Sequence, residues 1–202
     1  MTTRHNFGFL LLDRLSHQLR EQHSLEPRER REISGFARWE IYVLGEQTVA
    51  LFWPLTYMNL SGEAVVEWLA KSVDPEEFST REDLLVAFDD MSLPLGRVRV
   101  RAKGSSGGHN GLKSMEANLG HSEYSRFKLG IGRPEDDDIV DYVLCPFPDQ
   151  ELGVVDEVLT FSVPWILEWL SGATLESLSS GVNGWRAESM LVSEKAKSEE
   201  QV

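Results

Sequence analysis

Five consecutive apolar residues, Leu84-Leu85-Val86-Ala87-Phe88, run straight into two acids, Asp89-Asp90. A run this short and this continuously apolar reads as a strand covered on both faces, and such strands belong to sheets with helices on either side. The rest of the chain fits around it. The spacing of Phe7, Leu10, Leu11, Leu15 and Leu19 predicts a helix from about Asn6 to His23, with Asn6 as its N-cap. Glu26 to Glu32 reads as a charged connection containing Pro27. Ala37–Leu44 and Thr48–Trp53 alternate as the strands of a hairpin that turns at Gly45-Glu46. Thr56 to Gly62 reads as a loop, with Ser61 capping a helix that carries Val65, Trp68 and Leu69. Further strands are expected over Arg97–Arg101 and Arg126–Ile131, with a glycine-rich loop (Gly104 to Gly111) and a short helix (Leu112–Leu119) between them. Helices follow over Leu152–Leu170, which Pro164 should restart or kink, and over Leu175–Leu178. This order predicts an α/β fold, a single-domain three-layer sandwich with a mixed, partly parallel sheet flanked by helices.

The 202 residues predict one domain over 1–190, followed by a disordered tail over 191–202 that lacks an apolar face. Cys145 is the single cysteine, so no intrachain disulfide is possible and a reducing compartment is expected. No apolar run approaches the ~20 residues needed to cross a bilayer, and Asp13-Arg14 cut short the apolar stretch that opens at Phe7. The expectation is a soluble, acidic, cytoplasmic globular protein. The formal net charge of −13 argues against nucleic acid, but it is unevenly spread. From Arg97 to Arg133, eight basic residues stand against two acidic ones, a net +6, which leaves −19 on the remainder. Such an island is either a solvated strand face or a place to hold phosphate, since contacts within a Debye length of ~8 Å dominate.

Among the five histidines, His17 and His23 sit between polar residues of the first helix and read as solvent-facing, and His121 reads as a helix-end residue. His5 and His109 differ, because each is followed by an asparagine (Asn6, Asn110). Asp89 lies where a buried strand ends, the place at which open α/β sheets set their sites. It is a turn residue or, if an imidazole reaches it, the group that fixes that imidazole's tautomer while it takes a proton from water. The glycine-rich loop is not a phosphate loop, because Leu112 separates Gly111 from Lys113. Gly130-Ile131-Gly132 lacks the third glycine of a dinucleotide site, and no zinc-like spacing or Gly-x-Ser-x-Gly elbow is present. Asp136-Asp137-Asp138 reads as a solvated turn rather than a cation site. Neither a metal nor an organic cofactor is expected.

Six segments, in order from residue 3 to about 144, resemble the bacterial-type peptidyl-tRNA hydrolase family. They are Thr3-Arg4-His5-Asn6-Phe7-Gly8, Thr56-Tyr57-Met58-Asn59-Leu60-Ser61-Gly62, Leu84 to Asp90, Gly107-Gly108-His109-Asn110-Gly111-Leu112-Lys113, Arg126 to Pro134, and Asp141-Tyr142-Val143-Leu144. The resemblance implies hydrolysis of the ester joining a peptide to the 3′ end of tRNA. It implies His5 as the general base and Asp89 as the carboxylate that orients it. Tyr57, Asn59 and Asn110 would position substrate and water, His109 would line the cleft, and Arg99, Arg101 and Lys128 would grip phosphates. Peptidyl-tRNA is the implied partner, with no membrane and no metal. The alternative is a non-catalytic RNA-binding protein on the same fold, or an inactive truncated version.

The chain departs from the family pattern in three places. The family places a hydrophobic strand and a Gly-x-Gly-Asn-Pro-Gly loop ahead of the Thr-Arg-His-Asn motif, whereas here Met1 stands two residues before it. The expectation is a sheet lacking its first central strand, with exposed edges and an opened core. Either the start is assigned ~15 residues late or the protein is impaired. Ser92 stands where the family usually has an aspartate, and Phe88 replaces a more polar aromatic.

Overall fold

The computed structural model of the protein describes residues 3–134 and 138–189. Phe7, Leu11, Leu15 and Leu19 recur every fourth position, so helix α1 (Phe7–Glu21) buries a single stripe. Each of those side chains contributes about 1.5–3 kcal/mol on burial. Asn6 does not cap this helix. Residues Arg4–Asn6 already form a 3₁₀ turn that runs into α1, and the Asn6 amide donates to Thr3 Oγ1 at 2.7 Å instead.

Strands β1 (Glu29–Ile33), β2 (Ala37–Leu44) and β3 (Gln47–Pro54) form an antiparallel sheet in that order. β1 corrects the expected charged connection. Its Glu-Arg-Arg-Glu run has no apolar face, which suits an outer edge that must not recruit another strand. Strands β4 (Leu85–Asp90), β5 (Val98–Arg101) and β6 (Ser125–Gly130) form a second sheet in the order β4-β6-β5. Here β4 is parallel to β6, and β5 is antiparallel to it.

The helices α2 (Ser61–Ser72), α3 (Asn110–Leu119), α4 (Ile139–Leu144), α5 (Asp149–Leu170) and α6 (Leu175–Val182) complete the layers. On one face, α1, α5 and α6 close the main core over Trp53, Leu51, Val100, Phe127 and Leu129. On the other, α3 covers Phe88 and Tyr124 with Leu112 and Met115, while Trp68 of α2 meets Trp39 and Phe52. Three layers with a mixed strand arrangement are as the sequence predicts, although the strands lie in two three-stranded halves.

Three local expectations change. Ser61 is the first residue of α2 rather than its cap, and its hydroxyl donates to Met58 O at 2.9 Å, closing the 3₁₀ turn Met58–Leu60. Pro164 neither ends nor restarts α5, which runs through it. The proline is exposed, so the carbonyl it leaves without an N–H partner faces solvent. Leu84 to Ala87 are only half-buried, not covered all round. The expected tail over 191–202 and Asp136-Asp137 lie outside the described residues.

Two glycines set the spacing between layers. A Cβ on Gly8 of α1 would sit 2.3 Å from Ala87 O of β4, and one on Gly62 of α2 would sit 2.2 Å from Ser114 O of α3. Only a residue without a side chain permits either approach. Between the outer edges of β3 and β4 lies a cleft of about 1930 Å³, bordered at one end by His5 and Asp89.

Candidate active site

The turn that carries His5 is tied down from the far end of the chain. Thr3 bridges Pro146, and Arg4 N donates to Cys145 O at 3.2 Å. The buried Arg4 guanidinium pairs with Glu151 at 2.9 Å and lies over the rings of Tyr142 and Phe147, at 4.3 and 5.3 Å from their centroids. With Gly8 seated on Ala87, this clamp presents His5 to the end of β4.

There His5 Nδ1 lies 2.9 Å from Asp89 Oδ1, and Asp89 is 4% exposed. His109 reaches the same oxygen, its Nε2 at 3.2 Å. Burial alone would raise the Asp89 carboxyl, but the hydrogen bonds from His109 and His5 outweigh it and bring it down to about 2. An ionised carboxylate can only accept, so each ring donates to it. His109 is fixed further: its Nδ1 accepts from Leu112 N at 3.2 Å, capping α3, which leaves its proton on Nε2. For His5 the consequence is the opposite. Its Nδ1 carries the proton and its Nε2 keeps a lone pair. The two rings lie 4.9 Å apart between centroids, and Phe88 meets His109 edge-on at 5.3 Å.

His109 thus does more than line the cleft, a role the sequence does not disclose; its signal is its position three residues before Leu112, where a side-chain acceptor caps a helix. The donor atoms of His5, Asp89 and His109 lie within 4.8 Å of one another, a grouping able to ligate a divalent cation. As arranged, both imidazole nitrogens facing the carboxylate are occupied as proton donors.

The remaining predicted residues lie around this trio. Tyr57 lines the cleft and is 81% exposed. Asn59 and Asn110 are both exposed, on the turn Met58–Leu60 and the first residue of α3, which pack together where Met58 Sδ meets Gly111. Neither carboxamide bonds to His5 or Asp89 among the described residues. On the neighbouring strands, Arg99 and Lys128 are register partners. Lys128 is held by Asp90 at 2.7 Å, and Arg101 is exposed. Asp90 also accepts from Ser92 N at 2.8 Å, so Ser92 contributes its backbone to this small network. Arg126, in contrast, is fully buried on Glu116 and Tyr124 and is not part of any basic surface. The sequence reading missed Arg186, which shares a pocket of about 310 Å³ with Arg97, Arg99 and Ser92. Nothing in its own neighbourhood marks it. His17 and His23 are exposed, and His121 bonds Thr80 and caps the turn at Glu123, as structural residues do. No helix among the described residues is long and apolar enough to cross a membrane.

The chain is similar to proteins of one known family. The sequence profile described as Peptidyl-tRNA hydrolase matches residues 1–189. The peptidyl-tRNA hydrolase of Shouchella clausii is 39% identical over 180 residues, covering 88% of this chain and 90% of that protein. That of Exiguobacterium sibiricum is 44% identical over 162 residues, covering 80% and 81%. That of Bacillus subtilis is 40% identical over 178 residues, covering 88% of each. The crystal structure of peptidyl-tRNA hydrolase from Acinetobacter baumannii shares the fold, with a TM-score of 0.75 at 24% identity over 92% of this chain and 88% of that one.

Proposed function

The chain belongs to the peptidyl-tRNA hydrolase family, and from that premise we propose that it hydrolyses the ester between a peptide and the 3′ end of tRNA with His5 as general base. The observation that carries the assignment is the 2.9 Å contact between His5 Nδ1 and the buried Asp89 carboxylate. It leaves Nε2 as the proton acceptor.

Nε2 takes a proton from water, and the resulting hydroxide attacks the ester carbonyl carbon. Asp89 stabilises the imidazolium that forms, while its hydrogen bond from His109 keeps the carboxylate from turning. The tetrahedral intermediate places a negative charge on the former carbonyl oxygen. Asn59 and Asn110, exposed beside the cleft and free to turn toward a bound ester, supply amide donors for it. As the intermediate collapses, the 3′ oxygen of the tRNA leaves and takes the proton from the imidazolium. The products are a peptide carboxylic acid, which ionises by releasing its proton to solvent, and a free tRNA hydroxyl, and His5 returns to its starting state.

Tyr57 offers an exposed ring on which the terminal base or the peptide can stack. Arg99, Arg101 and Lys128 would hold the tRNA phosphates, with phosphate displacing Asp90 from Lys128. An acidic body behind this small basic surface keeps the grip local and sensitive to salt. The reading places a monomeric protein in the cytoplasm, where its substrate arises.

The test is release of peptide from a model peptidyl-tRNA by the wild type and by His5→Ala, with tRNA binding measured in parallel. Loss of the base should lower the rate by about 10²–10⁴-fold while binding is retained. Equal rates would overturn the assignment. Salt-sensitive tRNA binding without turnover by the wild type would favour a non-catalytic RNA-binding role.

A further inference from the structure

The loop that follows Asp89 and Asp90 is pinned against the end of β6. Leu93 N donates to Asp90 O at 3.3 Å, Gly132 N to Leu93 O at 2.8 Å and Gly130 N to Arg97 O at 2.9 Å. The segment that leaves α6 closes over the same place from the far end of the chain. Asn183 Oδ1 accepts from Val100 N at 2.6 Å, and Ala187 N donates to Gly96 O at 2.9 Å. Between these two ties, Arg97 and Arg186 form an antiparallel bridge.

The bridge sets two arginines directly opposite each other. Side chains of such a pair leave on one face, with Cβ atoms about 5 Å apart, and like charges there repel. Arg99, two residues along, joins that face by strand alternation. The three arginines share a pocket of about 310 Å³ with Ser92, Leu93 and Pro94, near the lower end of the ~300–1,000 Å³ range of small-ligand sites. Among the described residues, no acidic side chain lines it. Asp90, the nearest carboxylate in sequence to Ser92, is held by Lys128 at 2.7 Å and by Ser92 N at 2.8 Å. Leu93 is buried, and the apolar boundary it makes with Pro94 strengthens the attraction between guanidinium and anion.

We propose that this pocket is a phosphate site, in which Arg97, Arg99, Arg186 and the Ser92 hydroxyl supply the donors, and that it anchors one backbone phosphate of bound tRNA. A guanidinium pairs with phosphate through two parallel N–H bonds, and an anion between Arg97 and Arg186 turns their repulsion into attraction. The anchor differs from Lys128, which must first give up Asp90. It also stands in a fixed relation to the chemistry. Leu129 pairs with Asp89 on one side and with Val98 on the other, so Arg97 and Arg99 flank the row that holds Asp89. The separation across the sheet is two strand spacings, about 10 Å. Ser92 decides the charge, because an aspartate at that position would set a carboxylate among the arginines and fill the site from within. The proposal rests on the reading of tRNA as substrate, and adds Arg97, Arg186 and Ser92 to the residues that hold it.

The experiment measures binding of deacylated tRNA to the full chain across a salt series, with equilibrium dialysis of inorganic phosphate in parallel. Ser92 is exposed, so Ser92→Asp should fold as the wild type does. It should weaken tRNA binding about tenfold and lower the slope of log K against log salt by about one, the signature of one lost phosphate contact. Arg186→Ala should do the same, whereas Arg186→Lys should keep the slope and lose only part of the affinity. Inorganic phosphate should bind the wild type saturably and Ser92→Asp not at all. Ser34→Asp, exposed at the turn between β1 and β2, adds the same charge in the other half of the strands. It should leave both bindings within about twofold. Wild-type affinity and slope in both Ser92→Asp and Arg186→Ala, or an equal loss in Ser34→Asp, would overturn the proposal. Loss of phosphate binding with tRNA binding intact would overturn the tRNA anchor and assign the pocket to small free phosphates. No ester is cleaved in these measurements, so a failure here leaves the assignment of His5 standing, and a failure of that assignment leaves these readings unaffected.

Discussion

Each half of the strand arrangement buries one carboxylate, and the two do different things. Glu40, in the β1-β2-β3 half, is 1% exposed and takes hydrogen bonds from Ser16 Oγ at 2.5 Å and Tyr42 Oη at 2.7 Å, with Arg30 at 3.1 Å. Asp89, in the β4-β6-β5 half, takes two imidazoles on one oxygen. In both, burial raises the carboxyl and hydrogen bonds bring it below its ordinary value. Burial and a lowered carboxyl thus do not distinguish a structural site from a chemical one. The donors do: two hydroxyls and a guanidinium can hold a charge but exchange no proton near neutrality, whereas His5 has a second nitrogen that can.

The sharpest way to break this contrast is to neutralise each acid in turn. Asp89→Asn should lower kcat for a model peptidyl-tRNA by at least about 10²-fold, because the amide no longer fixes the imidazole tautomer. Glu40→Ala should leave kcat within about twofold and destabilise the fold by roughly 2–3 kcal/mol in urea unfolding, since Tyr42 and Ser16 lose their shared acceptor. If Glu40→Ala lost turnover without losing stability, the division would be wrong.

The acid side of the stability profile sharpens it further. Asp89 falls from its ordinary 3.8 to about 2 in the folded protein. Its contribution is fully present above the unfolded value, and is lost as pH falls from there through the folded value. Asp89→Asn should therefore flatten that part of the slope in unfolding measured between about pH 4 and pH 2, and Glu40→Gln should flatten it too. The smallest expected effect is at His109. His109→Ala should cost about 1 kcal/mol through the lost cap of α3 and lower kcat by roughly tenfold while KM holds, because it acts through Asp89.

The elements that could be read from the sequence are those with a periodic apolar face. α1, the β2–β3 hairpin and α3 lie close to where the spacing of Leu11, Leu15, Trp39 and Leu112 puts them. β1 could not be read this way, since an edge strand of mixed charge offers no apolar period. The continuous run at Leu84 gave a strand correctly, but full burial was inferred from composition, and composition does not say how many neighbours a strand has. At the site, the His5–Asp89 pair was legible only through resemblance, because its members are 84 residues apart. The second imidazole on Asp89 was not legible at all, since it depends on where α3 starts relative to the end of β4. The fate of the basic residues was not legible from strand parity, since Arg101 and Arg126 are register partners on one face; Arg126 is buried on Glu116 and Tyr124 while Arg101 remains at the surface.

The contact of Gly8 with the Ala87 carbonyl carries a further meaning. His5 stands three residues ahead of that glycine and Asp89 two residues beyond that carbonyl, so the distance between imidazole and carboxylate is inherited from the thickness of a single hydrogen atom in the joint beside it. Widening the joint by one methyl group would move the turn as a rigid piece. The protein would keep every residue its chemistry requires and hold them just out of reach.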